Sequence, residues 1–348
     1  MSHVVSHAAC RADLAGGTLD LWPLYLYFGG LELVHMAINV QAKAELHFEA
    51  SKIKGHRIHI SSLDLNVDRS FSSLQELKNS LQESTAENPL RWLARLSHYF
   101  LSQSTRSGGD WSLQCSSQAP AGSGLGGSSV LGVAVSKAFE KMHGRSLGNA
   151  ENKWRLQKQT RDLEAVEIEH PAGDQDYVPA LFGGLLIFKL DNQRRSVEQL
   201  PRSLAKRISA QTALLYTGVP HHSGLNNWQV FKAYHEGDAK VRKALGAIRD
   251  ISAELASELR KGSLKKLAPL INDEWAARKL LSSSVNAPAL EKAWAFGKRH
   301  GAIARKACGA GGGGCLLLVF PDEASKIKAI RHAIPNSRWK WLDTSPDY

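Results

Sequence analysis

Between Gln118 and Phe139 the chain reads QAPAGSGLGGSSVLGVAVSKAF, a run of Gly, Ser and Ala followed at once by apolar residues at helical spacing. Small residues let backbone amides close on a ligand, and a helix starting directly after them offers unpaired N–H groups and the positive end of its dipole. The chemistry this favours is anion binding, with a phosphate as the natural guest. GSGLGG (Gly122–Gly127) formally satisfies G-x-G-x-x-G. The dinucleotide reading, however, needs a preceding buried strand and an acidic residue about 20 positions on at the end of a second strand, whereas here helix follows helix. The lysine-bearing loop G-x-x-x-x-G-K-[ST] is excluded, because Gly127 is followed by Ser128 and Ser129.

Whatever the loop holds must be presented by the elements around it. AELHFEA and RIHISSLDL alternate apolar and polar residues at period two, as strands with one buried face do; SLQELKNSLQES and PLRWLARLSHYFLSQS place apolar residues three and four apart, as amphipathic helices do. After the loop a helix is predicted from about Ser128 to Met142 and another in NKWRLQKQTRDLEAVEIE, with strands in GGLLIFKL and TALLYTG. From about Asn227 to Ala302 nearly everything reads as helix. The chain closes with a glycine-rich turn between short apolar pieces, a helix in EASKIKAIRHAI and a last strand in SRWKWLD. The pattern predicts an α+β chain of two lobes: a strand-rich one over residues 1–200 that carries the glycine loop, and a helix-rich one over residues 201–348.

With 348 residues the chain is long enough for a large core. Its 44 Lys and Arg against 33 Asp and Glu give a formal charge of +11. That charge draws anions in general and does not separate nucleic acid from a lipid headgroup or a phosphorylated metabolite. No run of Lys and Arg forms a basic tail, and no aromatic residues interleave with one as a stacking platform would, so no nucleic-acid partner is expected. No apolar segment reaches the roughly 18 residues that cross a bilayer, and the N-terminus lacks the charged start and apolar stretch of a secretion signal. The expectation is a cytoplasmic protein without a membrane partner. Cys10, Cys115, Cys308 and Cys315 form no C-x-x-C pair, which argues against a disulfide framework, a zinc site and redox chemistry.

Three segments in order, ACRADLAGGTLD, the glycine-serine loop and ACGAGGGGCLLLVF, resemble the three motifs of the GHMP kinases, the family of galactokinase, homoserine kinase, mevalonate kinase and phosphomevalonate kinase. The resemblance spans nearly the whole chain. It implies the two-lobed GHMP kinase fold, ATP and Mg2+, and phosphoryl transfer to an alcohol. The family's middle motif, close to P-x-G-x-G-L-G-S-S, places ATP at Pro120, Gly122, Ser123, Gly124, Leu125, Gly126, Gly127, Ser128 and Ser129. Gly127 departs from it, since the family usually has serine there. The metal-binding hydroxyl is expected from Ser128, with Ser129 as the alternative. The third motif, GAGGGG (Gly309–Gly314), has five glycines in six residues, each costing about 0.5–1 kcal/mol in a regular element. The resemblance implies a turn folded against the phosphate loop, with Gly311 and Gly312 facing the acceptor.

A fourth stretch, LEAVEIEHPAGDQDYVPALFGG (Leu163–Gly184), resembles the segment that in the sugar-kinase branch carries the acidic catalytic residue as G-x-Q-D ahead of a Gly-Gly turn. By that match Asp176 takes or orients the proton of the acceptor hydroxyl, and Arg11 stabilises charge between the nucleophile and the γ-phosphate. Both roles suit a reaction that needs positioning and charge neutralisation more than covalent help. Asp174 is the rival carboxylate, pointing oppositely if the segment is extended. Magnesium takes hard oxygen ligands. Glu164 is expected to supply one, ahead of Glu167, which shares its helix face at i, i+3; Glu167 and Glu169 are expected to be solvated.

On the acceptor side, RADLAGGTLDLWPLYLYFGGLELVHMAINV resembles the strand and loop of heptose and fucose kinases. The implied substrate-binding positions are Gly17, Asp20, Gln175, Tyr177, Gly183, Gly184, Gly311 and Gly312. Asp20 would grip sugar hydroxyls, with Asp13 as its competitor nearer the arginine. With YTGVPHHSGLNNW (Tyr216–Trp228), the resemblance is nearest to the kinases that phosphorylate D-glycero-D-manno-heptose 7-phosphate at its anomeric hydroxyl, and His221 and His222 are candidates for the distal phosphate. The alternatives are an L-fucose or other sugar 1-kinase, a kinase of a non-sugar alcohol, and a non-catalytic binder of ATP and sugar that regulates a partner. The oligomeric state stays open, with a homodimer as one option.

Overall fold

The computed structural model describes residues 2–51, 55–106, 108–220, 223–332, 334 and 337–348, with backbone alone for 223–226. The chain divides into two compact units, each assembled from separated stretches. One comprises Met1–Ala8, Gln41–Gln118 and Ser128–Glu169, the other Ala9–Val40, Ala119–Gly127 and His170–Tyr348. Two long strands, β1 (Ser2–Ala15) and its partner β2 (Leu31–Ala50), contribute residues to both.

The first unit continues with β3 (Gly55–Ser62), β4 (Val67–Phe71), α1 (Leu74–Asn79), α2 (Arg91–Leu101), β5 (Gly108–Ser117), α3 (Gly127–Met142, from its second residue) and α4 (Ala150–Ile168). Its strands lie in the order β4-β3-β5-β2. Ile58 stands opposite Phe71 in an antiparallel pair and opposite Trp111 in a parallel one, and Trp111 faces Phe48 across the antiparallel β5–β2 pair. Strand alternation sends Trp111, Leu113 and Cys115 inward and leaves Ser112 and Gln114 on the other face. On the inner face Trp111 meets Phe139 of α3 with ring centroids 6.2 Å apart, and Phe139 stacks on Phe100 of α2 at 5.2 Å. Glu167 is not the solvated residue the sequence suggests. Arg91 and Arg95 of α2 donate to its two carboxylate oxygens at 2.6 and 2.7 Å, and these two guanidinium partners let it sit with 9% of its side chain exposed.

In the second unit follow α5 (Tyr177–Phe182), β6 (Leu185–Leu190), β7 (Arg195–Gln199), α6 (Arg202–Gln211), β8 (Thr212–Tyr216), α7 (Ser223–His235), α8 (Ala239–Arg260), α9 (Leu267–Arg278), α10 (Pro288–Arg299), β9 (Ala304–Ala307), β10 (Cys315–Val319), α11 (Glu323–Arg331) and β11 (Lys340–Leu342). The first half of β2 pairs with β6 and β6 with β7, both antiparallel. A separate antiparallel sheet has the order β11-β8-β10-β9. β10 reads CLLLV without alternation and is buried throughout, as a central strand covered on both faces should be. Its Leu316 and Leu318 share a core with Trp275 of α9 and with Leu290 and Phe296 of α10. The β9–β10 connection is the glycine run Gly309–Gly314. This is the mixed α+β architecture the sequence predicts. All four cysteines are free and buried. Among the described residues no helix is long and apolar enough to cross a membrane.

Candidate active site

The inner end of β1 carries Arg11, only 1% exposed. Its guanidinium reaches two places at once: one arm lies 2.8 Å from Asp176 Oδ1, and the other donates to Gly124 O of the glycine loop at 2.7 Å. A planar fork does this from two separate nitrogens; a lysine would have to reach both acceptors from one. Burial works against the Arg11 charge, but Asp176 and Asp13 outweigh it and raise its affinity for the proton, so the group stays ionised.

Asp176 precedes α5 with φ −86° and ψ −35°, and its side chain makes no capping hydrogen bond. The carboxylate is therefore not spent on the helix. Asp174, its rival in the sequence, has different partners. The segment turns instead of running extended, with Val178 N–H donating to Asp174 O at 3.2 Å. Asp174 is buried and ion-paired with Arg195 at 3.3 Å, while Asp176 pairs with Arg11 and keeps 22% of its side-chain surface exposed. Burial raises the pKa of Asp176 and the Arg11 charge pulls it back, leaving it above the ordinary carboxylate value.

The glycine loop is shaped by close approaches. At Gly126, φ is +73° and a Cβ would stand 2.3 Å from Asp176 Cγ, so only glycine brings the loop this near the carboxylate. At Gly127 a Cβ would meet nothing nearer than Ala119 Cβ at 3.4 Å. The serine usual in the family at that position is thus a change of side chain and not of shape. The contrast gives an expected result. Gly126→Ala lowers kcat/KM by about 100-fold by displacing the carboxylate, and Gly127→Ala stays within about threefold of wild type, both read by steady-state kinetics.

The third glycine motif meets the loop at its last glycine. Gly314, with φ +75°, lies so close to Ser123 O that a Cβ would be 2.5 Å from it, and Cys315 N–H donates to that same oxygen at 2.8 Å. Gly311 and Gly312 lie instead against Val285: Gly312 N–H donates to Val285 O at 2.8 Å, and a Cβ on Gly311 would be 2.5 Å from that oxygen. Pro120, Ser123 and Leu125 set the loop's own turn, Ser123 N–H donating to Pro120 O at 3.0 Å and Leu125 lying fully buried. In the first unit, Ser128 at the start of α3 is exposed, Ser129 is buried, and Glu164 on α4 is 5% exposed. A hydroxyl and a carboxylate are the hard oxygens magnesium takes.

Acceptor-side residues gather around the same turn. Asp20, 1% exposed, accepts N–H donors from Asp174 at 2.6 Å and Gln175 at 2.8 Å on Oδ2. Its Oδ1 and Gln175 Oε1 have no hydrogen-bond partner among the described residues. Burial pushes the Asp20 pKa up, the Gln175 amide pulls it down, and Asp174 and Asp176 push it up again, to about 7. Gly17 passes between two side chains: its Cβ would lie 2.4 Å from Asp13 Oδ2 and 2.7 Å from Gln175 Oε1. Gly173 likewise has room for no side chain beside Asp20. Asp13 is fully buried, with its Oδ2 held by Lys306 Nζ at 2.8 Å. Tyr177 is 1% exposed inside the first turn of α5. Gly183 and Gly184 do not face this turn; they receive the C-terminal residues, with Gly184 N–H donating to Asp347 O at 2.6 Å and Tyr348 packed against Gly183. His221 and His222 lie outside the described residues.

Sequence reasoning missed Lys306, Glu274 and Arg278, all buried around Asp13. A signal existed for each: a lysine inside a short strand with alanine on both ends, and an acid–base pair at i, i+4 on a helix otherwise largely apolar.

Known proteins share this organisation. Residues 91–184 match the family description "GHMP kinases N terminal domain" and residues 255–337 match "GHMP kinases C terminal", one on either side of residue 200. The chain is 27% identical over 339 residues, 95% of its length and 94% of the relative's, to D-glycero-alpha-D-manno-heptose 7-phosphate kinase of Campylobacter jejuni. It is 25% identical to L-fucokinase/L-fucose-1-P guanylyltransferase of Bacteroides fragilis, over 96% of this chain but 36% of that longer one. The solved structure of a D-glycero-D-manno-heptose 1-phosphate kinase from Bacteroides thetaiotaomicron superposes with a TM-score of 0.72 at 21% identity, covering 99% of this chain and 96% of that one, a likeness of fold. With both family domains matched in order, and together covering just over half of it, the chain belongs to the GHMP kinase family and is a phosphotransferase.

Proposed function

We propose that this chain is an ATP-dependent sugar kinase that transfers the γ-phosphate of ATP to the anomeric hydroxyl of D-glycero-D-manno-heptose 7-phosphate. The observation that carries the acceptor class is the pair of buried oxygens Asp20 Oδ1 and Gln175 Oε1, which lack a partner among the described residues beside the turn that leads to Asp176. Buried acceptors are costly to leave unpaired, and hydroxyl donors satisfy them where an apolar ligand does not. The match to the Campylobacter kinase over nearly the full length of both chains supports heptose 7-phosphate, and the Bacteroides fragilis relative supports L-fucose as the second reading.

In this reading ATP lies on the loop from Gly122 to Ser129, in a lobe spanning residues 1–200, with the third glycine motif in the lobe spanning 201–348. Asp176 accepts or orients the hydroxyl proton. Arg11, already held between Asp176 and the glycine loop, offsets the negative charge shared by nucleophile and phosphate. Ser128 and Glu164 would hold a magnesium ion, which would neutralise charge on the phosphates. Substrates of this kind would place the enzyme in the cytoplasm.

The test is ADP release from ATP and magnesium with heptose 7-phosphate, free heptose, mannose, fucose, galactose, mevalonate and homoserine. Turnover on heptose 7-phosphate above the others supports the proposal. Turnover on fucose alone moves the acceptor to the second reading. No turnover on any of them, with ATP still bound, overturns the catalytic reading in favour of a regulatory binder.

A pH dependence follows from Asp20. Its carboxylate must be ionised to accept two amides and a hydroxyl, so kcat/KM for the acceptor should fall as pH drops below about 7, and Asp20→Asn should move that acidic limb to lower pH. Stability runs the other way. Between its ordinary value of 3.8 and about 7 the folded chain binds a proton that the unfolded chain releases, so this group stabilises the fold at low pH and loses that contribution as pH rises through 7. A flat wild-type profile from about pH 6 to 8 would remove Asp20 as the titrating group.

A further inference from the structure

Behind the acceptor turn, four charged side chains lie at 0–1% exposure: Asp13 on β1, Lys306 on β9, and Glu274 and Arg278 on α9. Their formal charges cancel. Lys306 Nζ stands 2.8 Å from Asp13 Oδ2 and 2.9 Å from Glu274 Oε1, and Glu274 also takes Arg278 Nε at 3.1 Å. Apolar side chains of similar volume would fill this space without the cost of desolvating four charges. What they would not do is direct donors at chosen backbone atoms. Arg278 does so: one arm donates to Gly17 O at 2.9 Å and the other to Thr18 Oγ1 at 3.0 Å.

The turn it grips is strained. Thr18 has φ +79°, a left-handed conformation that a β-branched residue adopts only when its surroundings impose it. Two residues on, Asp20 accepts the amides of Asp174 and Gln175, and the next residue is Asp176. Gly17 itself lies against Asp13 on one side and Gln175 on the other. An unbroken path of contacts within one unit thus runs from α9 through the turn to the carboxylate paired with Arg11.

We propose that Arg278, fixed by Glu274 and by the Asp13–Lys306 pair, is a positioning residue that sets the Gly17–Asp20 turn and, through Asp20, the placement of Asp176 against the acceptor. The proposal rests on the sugar-kinase reading for its kinetic consequences, though not for its structural ones. A lysine at position 278 keeps the charge and loses the fork, so it cannot hold Gly17 O and Thr18 Oγ1 together while bonded to Glu274.

The test compares Arg278→Lys, Thr18→Val and Thr18→Ser with wild type, using the acceptor that wild type phosphorylates. Arg278→Lys should raise the acceptor KM about tenfold or more and lower kcat, with the KM for ATP within about twofold. Thr18→Val, which removes only the hydroxyl that Arg278 reaches, should move the acceptor KM in the same direction, and Thr18→Ser should restore it. Hydrogen exchange supplies a readout free of substrate: the Asp174 and Gln175 amides should exchange about tenfold faster in Arg278→Lys and Thr18→Val, with β8 and β10 unchanged. An acceptor KM within about twofold of wild type in both variants, with unaltered exchange at Asp174 and Gln175, overturns the proposal. If wild type phosphorylates no sugar, the sugar-kinase reading fails, and the exchange measurement alone decides this one. If Arg278→Lys does not fold, the Thr18 pair decides it.

Discussion

Asp176→Asn lowers kcat by about 10²–10⁴, the span lost when a positioned acid–base group is removed, while affinity for ATP stays within about threefold. Asparagine keeps the shape and still accepts from Arg11, so the salt bridge is weakened without opening a cavity. What disappears is the negative charge that takes or orients the hydroxyl proton. The expectation for this carboxylate over Asp174 rests on their surroundings: Asp174 is buried against Arg195, whereas Asp176 is uncapped, part exposed and pressed against Gly126 of the loop. Asp174→Asn is accordingly expected to act on stability more than on turnover. Initial rates of ADP release, with titration of a non-hydrolysable ATP analogue, check both statements. Wild-type turnover in Asp176→Asn would remove this residue from the mechanism.

Arg11→Gln lowers kcat/KM by about 10²–10³, equivalent to about 2.7–4 kcal/mol of lost charge stabilisation. The loss has two sources that a pH profile separates. One is the missing cation between carboxylate and phosphate. The other is electrostatic: Arg11 pulls the Asp176 pKa down against burial, so its removal lets that pKa rise further, and in the Asp20→Asn background, where the limb assigned to Asp20 is gone, the remaining acidic limb of kcat/KM moves to higher pH. A pure binding defect would lower the profile without shifting it. Arg11→Lys should recover only part of the activity, because Arg11 serves Asp176 Oδ1 and Gly124 O from two spaced nitrogens and lysine has one. An unshifted limb for Arg11→Gln in that background would argue against the coupling of these two groups.

Elements with strong periodicity were legible before the fold was known. Helix α3 was expected to begin right after the glycine loop, and the helices α8 to α10 also appeared where their patterns said. Strands β4 and β7 were not, because VDRSF and RSVEQ hold too few apolar residues to show a period. Glu167 was misjudged for a related reason. Its solvated look in sequence ignores two arginines some seventy residues away on α2. Asp20 was expected to grip sugar hydroxyls, and one of its two oxygens is committed to the amides of Asp174 and Gln175.

By itself the sequence determined the family, because its motifs are residue types at short, fixed spacing, and Arg11 and Asp176 are the pair that the resemblance implies. Only the tertiary structure decided which glycine of the third motif meets the loop, that the Gly183–Gly184 turn serves the chain's last residues, and that Asp13 is a buried counter-ion of Lys306. Those outcomes depend on partners between about 100 and 300 residues away in the chain, where desolvation and the exact reach of one side chain decide who pairs with whom, and neither quantity is written in local pattern.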